Sequence, residues 1–271
     1  MKYTQLEIKD EAFTKKVFKL KLDKKGILKT DPIPENLEDY YKFEAYISHQ
    51  DKKKSLVGRV YDQVKQWMFK QKHEWIITNQ KGVKSILDFG CGTGEFLQYI
   101  QEKGIRGVGI EPSQIAFKQA KANGIDVYKI VDEVKEKFEV ITLFHVLEHV
   151  ENYNDILNLL INKLEVGGQL LIAVPNHKSY DATYYKEKWA AWDVPRHIWH
   201  FSKNDIIKIG KEHDLKLIQV KPLWFDALYI SMVSESYKGQ FKWKGVYRGL
   251  ISNLVARNTK EYSSNVFIYR K

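Results

Sequence analysis

The sequence has one cysteine, Cys91, among its 271 residues, which excludes a framework of disulfide bonds within the chain. Its Met1-Lys2 start is not followed by the apolar segment of a secretory signal peptide. No uninterrupted apolar run reaches the roughly 20 residues that a bilayer-spanning helix needs. These absences predict a cytoplasmic protein, and the length predicts one large domain or one domain with an appendage.

Acidic residues are too few to balance the lysines and arginines, and the formal net charge is +10. Basic residues cluster at 15–16, at 52–54 and from Lys238 to Arg248. Clustered lysines can neutralise the phosphates of a nucleic acid, but acids are interspersed through most of the chain and no RNA-binding motif is present. We favour a basic solvated surface over nucleic-acid binding, and an acidic substrate would also suit the charge.

What the sequence does contain is a glycine-rich loop directly after a short apolar strand, over residues 86–94. Gly90, Gly92 and Gly94 stand at alternate positions, where a ligand can press against the backbone. A helical apolar pattern follows, so the segment is a strand–loop–helix of the nucleotide-binding type. A second strand ends in Glu111, and a carboxylate at that point can accept hydrogen bonds from both hydroxyls of a ribose.

The loop differs from the dinucleotide-binding pattern G-x-G-x-x-G, because Glu95 stands where the last glycine should be. That glycine lets the helix pack close to the sheet, with the pyrophosphate at the helix N-terminus. A carboxylate at this position opposes a pyrophosphate but not a cationic ligand, and Asp88 just before the loop indicates the same. We therefore expect a cationic ligand rather than a dinucleotide.

Four motifs, in family order, resemble those of class I S-adenosylmethionine (SAM)-dependent methyltransferases, in their ubiquinone-type (methyltransferase-23-like) subgroup. They are the loop at 87–94, the acid Glu111, the segment 144–150 after the fourth strand, and the Gly167-Gly168 turn leading into the fifth. The resemblance spans roughly residues 84–176. It implies a Rossmann-like, doubly wound α/β fold with a seven-stranded sheet and a reversed last strand, SAM as the cofactor, and no metal.

The resemblance also assigns a cofactor site. It implies that Asp88 and the loop glycines surround the methionine part of SAM, and that Glu111 binds the ribose. The adenine contacts are expected from the loop near Asp132. The residues expected at the cofactor are Asp88, Gly90, Cys91, Gly92, Gly94, Glu111, Pro112, Asp132, Phe144 and His145.

Three residues follow the fourth strand closely and carry ionisable side chains. His145 is a candidate wall of the methyl-transfer site and a candidate catalytic residue; the alternative is a hydrogen-bonded structural histidine. Glu148 and His149 are expected to start the next helix, and we interpret them as orienting residues, with catalysis as the alternative.

The segment 189–202 follows the fifth strand, where class I enzymes build their acceptor site, and similar segments recur in the subgroup. A neutral histidine can remove the proton of an acceptor hydroxyl, and we expect His197 in that role first and His200 second. The alternative is a structural clasp, in which Arg196 pairs with Asp193 and the histidines bond to the backbone.

Strand-like and helix-like apolar patterns alternate along the chain and predict a parallel sheet with ligands at the carboxyl ends of its strands. Ser113 and Ser202 are expected as N-caps. The predicted strands are 84–89, 106–110, 126–130, 139–144, 169–174, 216–221 and 264–270. The predicted helices are 56–78, 95–103, 113–123, 154–164 and 203–213.

We expect two regions, an N-terminal extension over 1–80 and a methyltransferase domain over 81–271. The segment 22–32 resembles a zinc ribbon that has lost its cysteines, since Leu22 and Lys25 occupy the ligand positions and neither can bind zinc. Chance similarity is the alternative. Residues 222–260 form an insertion before the last strand, interpreted as a lid over a hydrophobic acceptor, a membrane-surface contact or a dimer interface. Burial against the N-terminal segment is the alternative, and the one we favour.

The function expected is transfer of a methyl group from SAM to an oxygen of a small-molecule or glycan/lipid-type acceptor. The alternatives are methylation of a tRNA or protein, which the charge motivates, and a SAM-binding protein without catalysis. The oligomeric state does not follow from the sequence.

Overall fold

The computed structural model describes residues 6–41 and 56–271. The chain divides into two compact units. The first comprises Met1–Tyr41, Phe144–Asn154 and Ile172–Tyr269, and the second comprises Lys42–Leu143, Asp155–Leu171 and Arg270–Lys271. The expected boundary between residues 80 and 81 stays a prediction.

Strands and helices alternate through most of the described chain. In order they are β1 (Leu6–Lys9), β2 (Val17–Leu22), β3 (Leu28–Asp31), α1 (Leu56–Asn79), β4 (Ser85–Phe89), α2 (Glu95–Glu102), β5 (Arg106–Ile110), α3 (Gln114–Ala122), β6 (Asp126–Tyr128), β7 (Phe138–Phe144), α4 (Tyr153–Asn162), β8 (Leu164–Pro175), α5 (Tyr180–Tyr185), β9 (Trp199–His200), α6 (Lys203–Glu212), β10 (Lys216–Pro222), α7 (Trp224–Tyr237), α8 (Trp243–Thr259) and β11 (Ser264–Arg270).

A seven-stranded sheet has the strand order β10-β11-β8-β7-β4-β5-β6. β4 runs parallel to β5 and to β7, and β5 runs parallel to β6. Lys271, just past β11, pairs with Gly167 and Gly168 near the start of β8, whereas Asn176, just past β8, bonds to Ser263 before β11. The last strand is therefore antiparallel to β8, which confirms the expected Rossmann-like α/β fold with a reversed last strand.

Two predicted strands have ends that differ by more than one residue from those observed. The expected turn at Gly167-Gly168 lies inside β8, which begins at Leu164 rather than 169. Glycine is required at position 168 of this strand, because a β-carbon there would lie 2.9 Å from the Glu139 carbonyl oxygen. β6 ends at Tyr128 rather than 130, where the Glu133 carboxylate accepts a hydrogen bond from the next backbone N–H.

The N-terminal strands belong to a second sheet, with the order β1-β2-β3-β9 and antiparallel pairing throughout. β3 pairs with β9, placing Leu28 opposite His200 and Lys29 opposite Trp199. The turn between β2 and β3 is held by Asp23, whose Oδ1 accepts the N–H groups of residues 25 and 27. Its origin as a zinc ribbon stays a prediction.

The insertion before the last strand consists of the helices α7 and α8, which pack closely together. A β-carbon at Gly245 would lie 2.3 Å from the Met232 nitrogen, and one at Gly249 would lie 2.6 Å from the Ala227 carbonyl oxygen. Among the helices of the described ranges, none is long and apolar enough to cross a membrane.

Candidate functional site

The glycine loop after β4 is held by backbone hydrogen bonds. Gly90, Gly92 and Gly94 have φ angles of 76°, 58° and 78°, in the left-handed region that glycine adopts without a steric penalty. The N–H groups of Gly90 and Cys91 both donate to the Ile110 carbonyl at the end of β5, at 2.7 and 3.1 Å. The backbone conformation of the loop therefore requires glycine at these three alternate positions.

Glu111 ties this loop to the next one. Its Oε2 accepts the Gly92 N–H at 2.9 Å and its Oε1 accepts the Ser113 N–H at 2.8 Å. Burial raises the pKa of Glu111, against the effect of these two hydrogen bonds. Each carboxylate oxygen still has a lone pair for a ligand hydroxyl. The sequence predicted a ligand-binding acid here, but not that the same carboxylate holds the loop in shape.

Asp88 is the second buried acid beside the loop. Its Oδ1 accepts a hydrogen bond from Thr142 Oγ1 at 2.6 Å, in register between β4 and β7. Burial raises the pKa of Asp88 to about 6, the Thr142 hydrogen bond opposes the rise, and the charge of Glu111 adds to it. Two buried carboxylates whose charges disfavour each other would be stabilised by a cationic ligand, and SAM, a sulfonium, fits this requirement.

Open space above the loop supports the same fit. A β-carbon at Gly92 would meet no atom within 4 Å, whereas one at Gly94 would lie 2.6 Å from Ile125 Cγ1. The side chain of Cys91 points elsewhere, into an apolar cluster that includes Leu97 and Ile125. Only the backbone of Cys91 is thus available to a ligand, and burial raises the pKa of its thiol well above the ordinary value.

The remaining residues predicted at the cofactor lie after the neighbouring strands. Pro112 is exposed, directly after Glu111, and Asp132 is exposed in a short 3₁₀ turn over Val131–Glu133 that follows β6. Phe144 ends β7 and His145 follows it. In the second unit, Pro112 follows β5 and Asp132 follows β6, and these two strands run parallel to each other, so both residues lie beyond the carboxyl ends of neighbouring strands. Their contact with the cofactor stays a prediction.

In the first unit, His145 lies between two carboxylates and forms what we call the His145 cluster with Glu148 and Asp226. Its Nε2 is 3.0 Å from Asp226 Oδ2, and its Nδ1 is 3.5 Å from Glu148 Oε1. Burial favours the neutral ring, but Asp226 and then Glu148 outweigh it and raise the pKa of His145 to about 10. His145 is therefore an imidazolium at neutral pH, and its backbone has an unusual φ of 58°.

Asp226 is a site residue that sequence reasoning missed. It lies in the first turn of α7, far from His145 in sequence, and its only sequence signal is an acid within the apolar run 223–230. Because the insertion was interpreted as a whole, this single carboxylate was not distinguished from its neighbours.

Glu148 is almost fully buried, and within the described chain neither of its carboxylate oxygens has a hydrogen-bond partner. Burial would raise the pKa of Glu148, but the nearby His145 holds it below the ordinary value. Glu148, His149 and His197 each offer a ligand atom within 4.8 Å of the others. This geometry could hold a metal ion, and the expectation of a site without metal stays a prediction.

The two histidines expected as general bases are both enclosed. His197 Nδ1 lies 2.9 Å from the Ala191 carbonyl oxygen, and its Nε2 lies 3.7 Å from Asp193 Oδ2. His200 Nε2 lies 2.9 Å from Thr30 Oγ1 on β3. Burial lowers the pKa of His197 to about 4, and lowers that of His200 well below the ordinary value.

Two contacts of the structural clasp are thus present, because Arg196 pairs with Asp193 and His197 contacts a backbone carbonyl, whereas within the described ranges His200 contacts a side-chain hydroxyl and not the backbone. His197 and His200 line a cavity of about 10 Å³, which has room for about one water molecule. His149 belongs to the same packing: its Nδ1 lies 3.0 Å from both the Tyr41 hydroxyl and the Arg196 carbonyl oxygen, and burial lowers its pKa to about 4. The assignment of His197 or His200 as a base stays a prediction.

Known proteins similar to this chain were identified by sequence and by fold. The family model of a methyltransferase domain matches residues 62–220, which is more than half of the chain. A ubiquinone biosynthesis O-methyltransferase of Pseudomonas entomophila is 26% identical over 133 residues, which cover 44% of this chain and 57% of that protein. The chain thus aligns with little more than half the length of this curated relative.

Two solved structures share the fold. The magnesium protoporphyrin IX methyltransferase of Synechocystis PCC 6803, with bound S-adenosylhomocysteine (SAH), has a TM-score of 0.57 at 14% identity, covering 86% of this chain and 97% of that one. A coclaurine N-methyltransferase bound to N-methylheliamine and SAH has a TM-score of 0.54 at 15% identity, covering 82% and 75%. At these identities the likeness concerns the fold.

Proposed function

The chain belongs to the methyltransferase-domain family, and we propose that it is a class I SAM-dependent methyltransferase that methylates an oxygen of a small-molecule or glycan/lipid-type acceptor. The observation that carries the proposal is the half-exposed ring of His145, whose Nε2 lies 3.0 Å from Asp226 Oδ2 and whose Nδ1 lies 3.5 Å from Glu148 Oε1. The O-methyltransferase activity of the curated relative supports the choice of oxygen.

When bound, SAM supplies a methyl group on a positively charged sulfur, ready for displacement by a nucleophile. In the proposal, Glu111 accepts the hydroxyls of the ribose while it continues to hold Gly92, so that the loop is organised before the cofactor arrives. Asp88 favours the cationic part of the cofactor through its charge. Neither acid takes part in a proton transfer.

An acceptor hydroxyl becomes a good nucleophile only when it has lost its proton. A hydrogen bond donated by His145 to the acceptor oxygen favours the deprotonated acceptor, because a donor placed at that oxygen stabilises its charged form. Nδ1 is the donor available for this role, since 3.5 Å to Glu148 is longer than a good hydrogen bond. The proton then leaves to water, and phenolic or enolic hydroxyls should be preferred over ordinary alcohols.

His197 is the second candidate, as a proton acceptor. If Nδ1 donates to the Ala191 carbonyl, the lone pair of the neutral ring lies on Nε2. A pKa of about 4 makes this ring a weak base, and its enclosure favours a role in positioning Asp193 and Glu148. His200, bonded to Thr30, fits a structural role in the same segment.

The test is transfer of labelled methyl from SAM to a panel of phenols, polyols, amines and tRNA. We expect transfer to phenols, and we expect His145→Gln to lower kcat/KM at least tenfold. The matched variants His197→Ala and His200→Ala should act mainly on stability. Faster transfer to amines or salt-sensitive transfer to tRNA would refute the oxygen acceptor, and no transfer to any acceptor in a cell extract would support a non-catalytic SAM-binding protein.

A further inference from the structure

Helix α8 has the reverse of the usual amphipathic arrangement. Its buried face carries small or polar residues, and its exposed face carries large apolar ones. The buried residues are Gly245, Gly249, Ser252, Asn253 and Ala256. The exposed residues, with their exposed fractions, are Trp243 (67%), Val246 (37%), Tyr247 (62%), Leu250 (50%) and Leu254 (56%), and Phe241 (72%) precedes the helix.

Packing against α7 explains the buried face. The β-carbon positions of Gly245 and Gly249 are filled by backbone atoms of α7, so larger residues are excluded there. Nothing comparable explains the exposed face: Trp243, Leu250 and Leu254 recur at helical spacing along one side of α8. Large apolar side chains grouped on one exposed face mark a binding surface.

The charge around this face has one sign. Residues 236–260 contain six lysines and arginines and no aspartate or glutamate, in a chain whose acids are otherwise interspersed. Lys242, Lys244 and Arg257 are exposed at the two ends of α8. A second copy of this chain would meet the same positive charge, so self-association through this face would place like charges together.

We propose that the exposed face of α8, together with Phe241, docks on the surface of an anionic phospholipid bilayer. Exposed Trp, Tyr and Leu side chains insert at the level of the headgroups, and the flanking lysines and arginines pair with anionic lipids. The helix lies in the plane of the interface and does not cross the membrane, in accord with the absence of a spanning helix from the described ranges. This contact is independent of the identity of the acceptor.

The experiment is cosedimentation of the full chain with large unilamellar vesicles of phosphatidylcholine alone, or with 30% phosphatidylglycerol. We expect binding to the anionic vesicles at least tenfold stronger than to the neutral ones, weakening as salt is added. The triple variant Trp243→Gln/Leu250→Gln/Leu254→Gln should lose binding at least tenfold, and so should Lys242→Glu/Lys244→Glu.

The matched control removes three exposed apolar side chains from other elements, as Leu22→Gln/Val166→Gln/Ile218→Gln. It should bind the vesicles as the unchanged chain does, and circular dichroism should show all variants folded. Equal binding to neutral and anionic vesicles, no binding to either, or an equal loss in the control would overturn the proposal. Two other results would also overturn it. They are self-association, measured by light scattering, or tRNA binding that the α8 triple variant abolishes while its vesicle binding persists.

Discussion

Ionisable side chains lie both beside the glycine loop and among the histidines of the first unit, yet they are held in different ways. Glu111 bonds to backbone N–H groups of Gly92 and Ser113, and its neighbour Asp88 to a side chain in register on the next strand. His145 instead depends on Asp226, a side chain of a distant helix. His200 likewise depends on Thr30 of the N-terminal sheet.

The difference separates two kinds of site. A carboxylate held by main-chain donors keeps its geometry as long as the loop keeps its backbone conformation, so that few residue types fit the loop. A histidine held by distant side chains depends on the assembly of several elements, and its pKa reports their packing. Substitutions that break the first kind of site should lower ligand affinity or the stability of the fold. Substitutions that disturb the second kind should change the dependence of stability on pH.

The largest expected effect comes from breaking the loop itself. Gly94→Ala should lower the free energy of unfolding by about 2–5 kcal/mol, because a positive φ costs a side chain about 1–2 kcal/mol and overpacking adds about 1–3. The overpacking follows from the 2.6 Å distance between the added β-carbon and Ile125. Urea denaturation followed by circular dichroism measures it.

Gly104 provides the matched control for this substitution. It has a φ of 76°, but its β-carbon would meet no atom within 4 Å. Gly104→Ala should therefore cost only the conformational part, about 1–2 kcal/mol. Equal losses in the two variants would show that the loop does not depend on the close approach to Ile125.

A smaller effect is expected from removing the carboxylate that ties the loop. Glu111→Ala should weaken SAH binding by about 1.5–3 kcal/mol, the range for hydrogen bonds to a charged group, which is roughly 10- to 150-fold in Kd. Calorimetric titration measures it. Glu102→Ala, at an exposed position at the end of α2, should leave the affinity unchanged, and unchanged affinity in a folded Glu111→Ala would refute the role of Glu111.

Smaller effects, counted per pH unit, should appear as pH dependence and would sharpen the description of the histidines. The pKa values of His149 and His197 are lowered to about 4, and that of His177 to about 3, mainly by burial. Between pH 6.5 and 4 the unfolded chain binds protons that the folded chain excludes, so stability should fall as the pH falls. Each group contributes up to about 1.4 kcal/mol per pH unit.

Asp88 partly offsets this loss of stability in acid. Its pKa is raised to about 6, so the folded chain binds a proton there at a higher pH than the unfolded chain does. His145 acts at the other end: its pKa of about 10 lies above the unfolded value, so its contribution is complete below pH 6.5 and is lost as the pH rises toward 10. The free energy of unfolding, measured by urea denaturation from pH 4.5 to 9.5, tests both the acid limb and the alkaline limb of this pH dependence. His145→Gln should flatten the alkaline one alone, and an unchanged alkaline limb would contradict the ion pair with Asp226.

The sequence predicted the fold well because its signals are local. The apolar strands around Asp88 and Glu111 and the glycine loop between them are short patterns with one physical solution. The double role of Glu111 was not predictable, since it depends on which way the loop N–H groups point. The His145–Asp226 pair was also missed, because 80 intervening residues separate two side chains that only the folded chain brings together.

The exposed face of α8 is another feature that the sequence alone could not assign. The apolar residues of the insertion were visible in the sequence, but the small residues Gly245 and Gly249 had to be placed against α7 before the buried side of the helix could be known. Only then did it follow that the large residues face outward. Composition alone favoured burial against the N-terminal segment over a binding surface.

Because Cys91 is buried, the reactivity of its thiol reports how often the surrounding packing opens. As the only thiol of the chain, it is nearly inaccessible, and its raised pKa keeps it in the unreactive protonated form while the loop is closed. A thiol reagent should therefore label a molecule only when the packing around α2 and β5 is transiently lost. The labelling rate would measure how often that region opens, at one known atom and without any substitution in the chain.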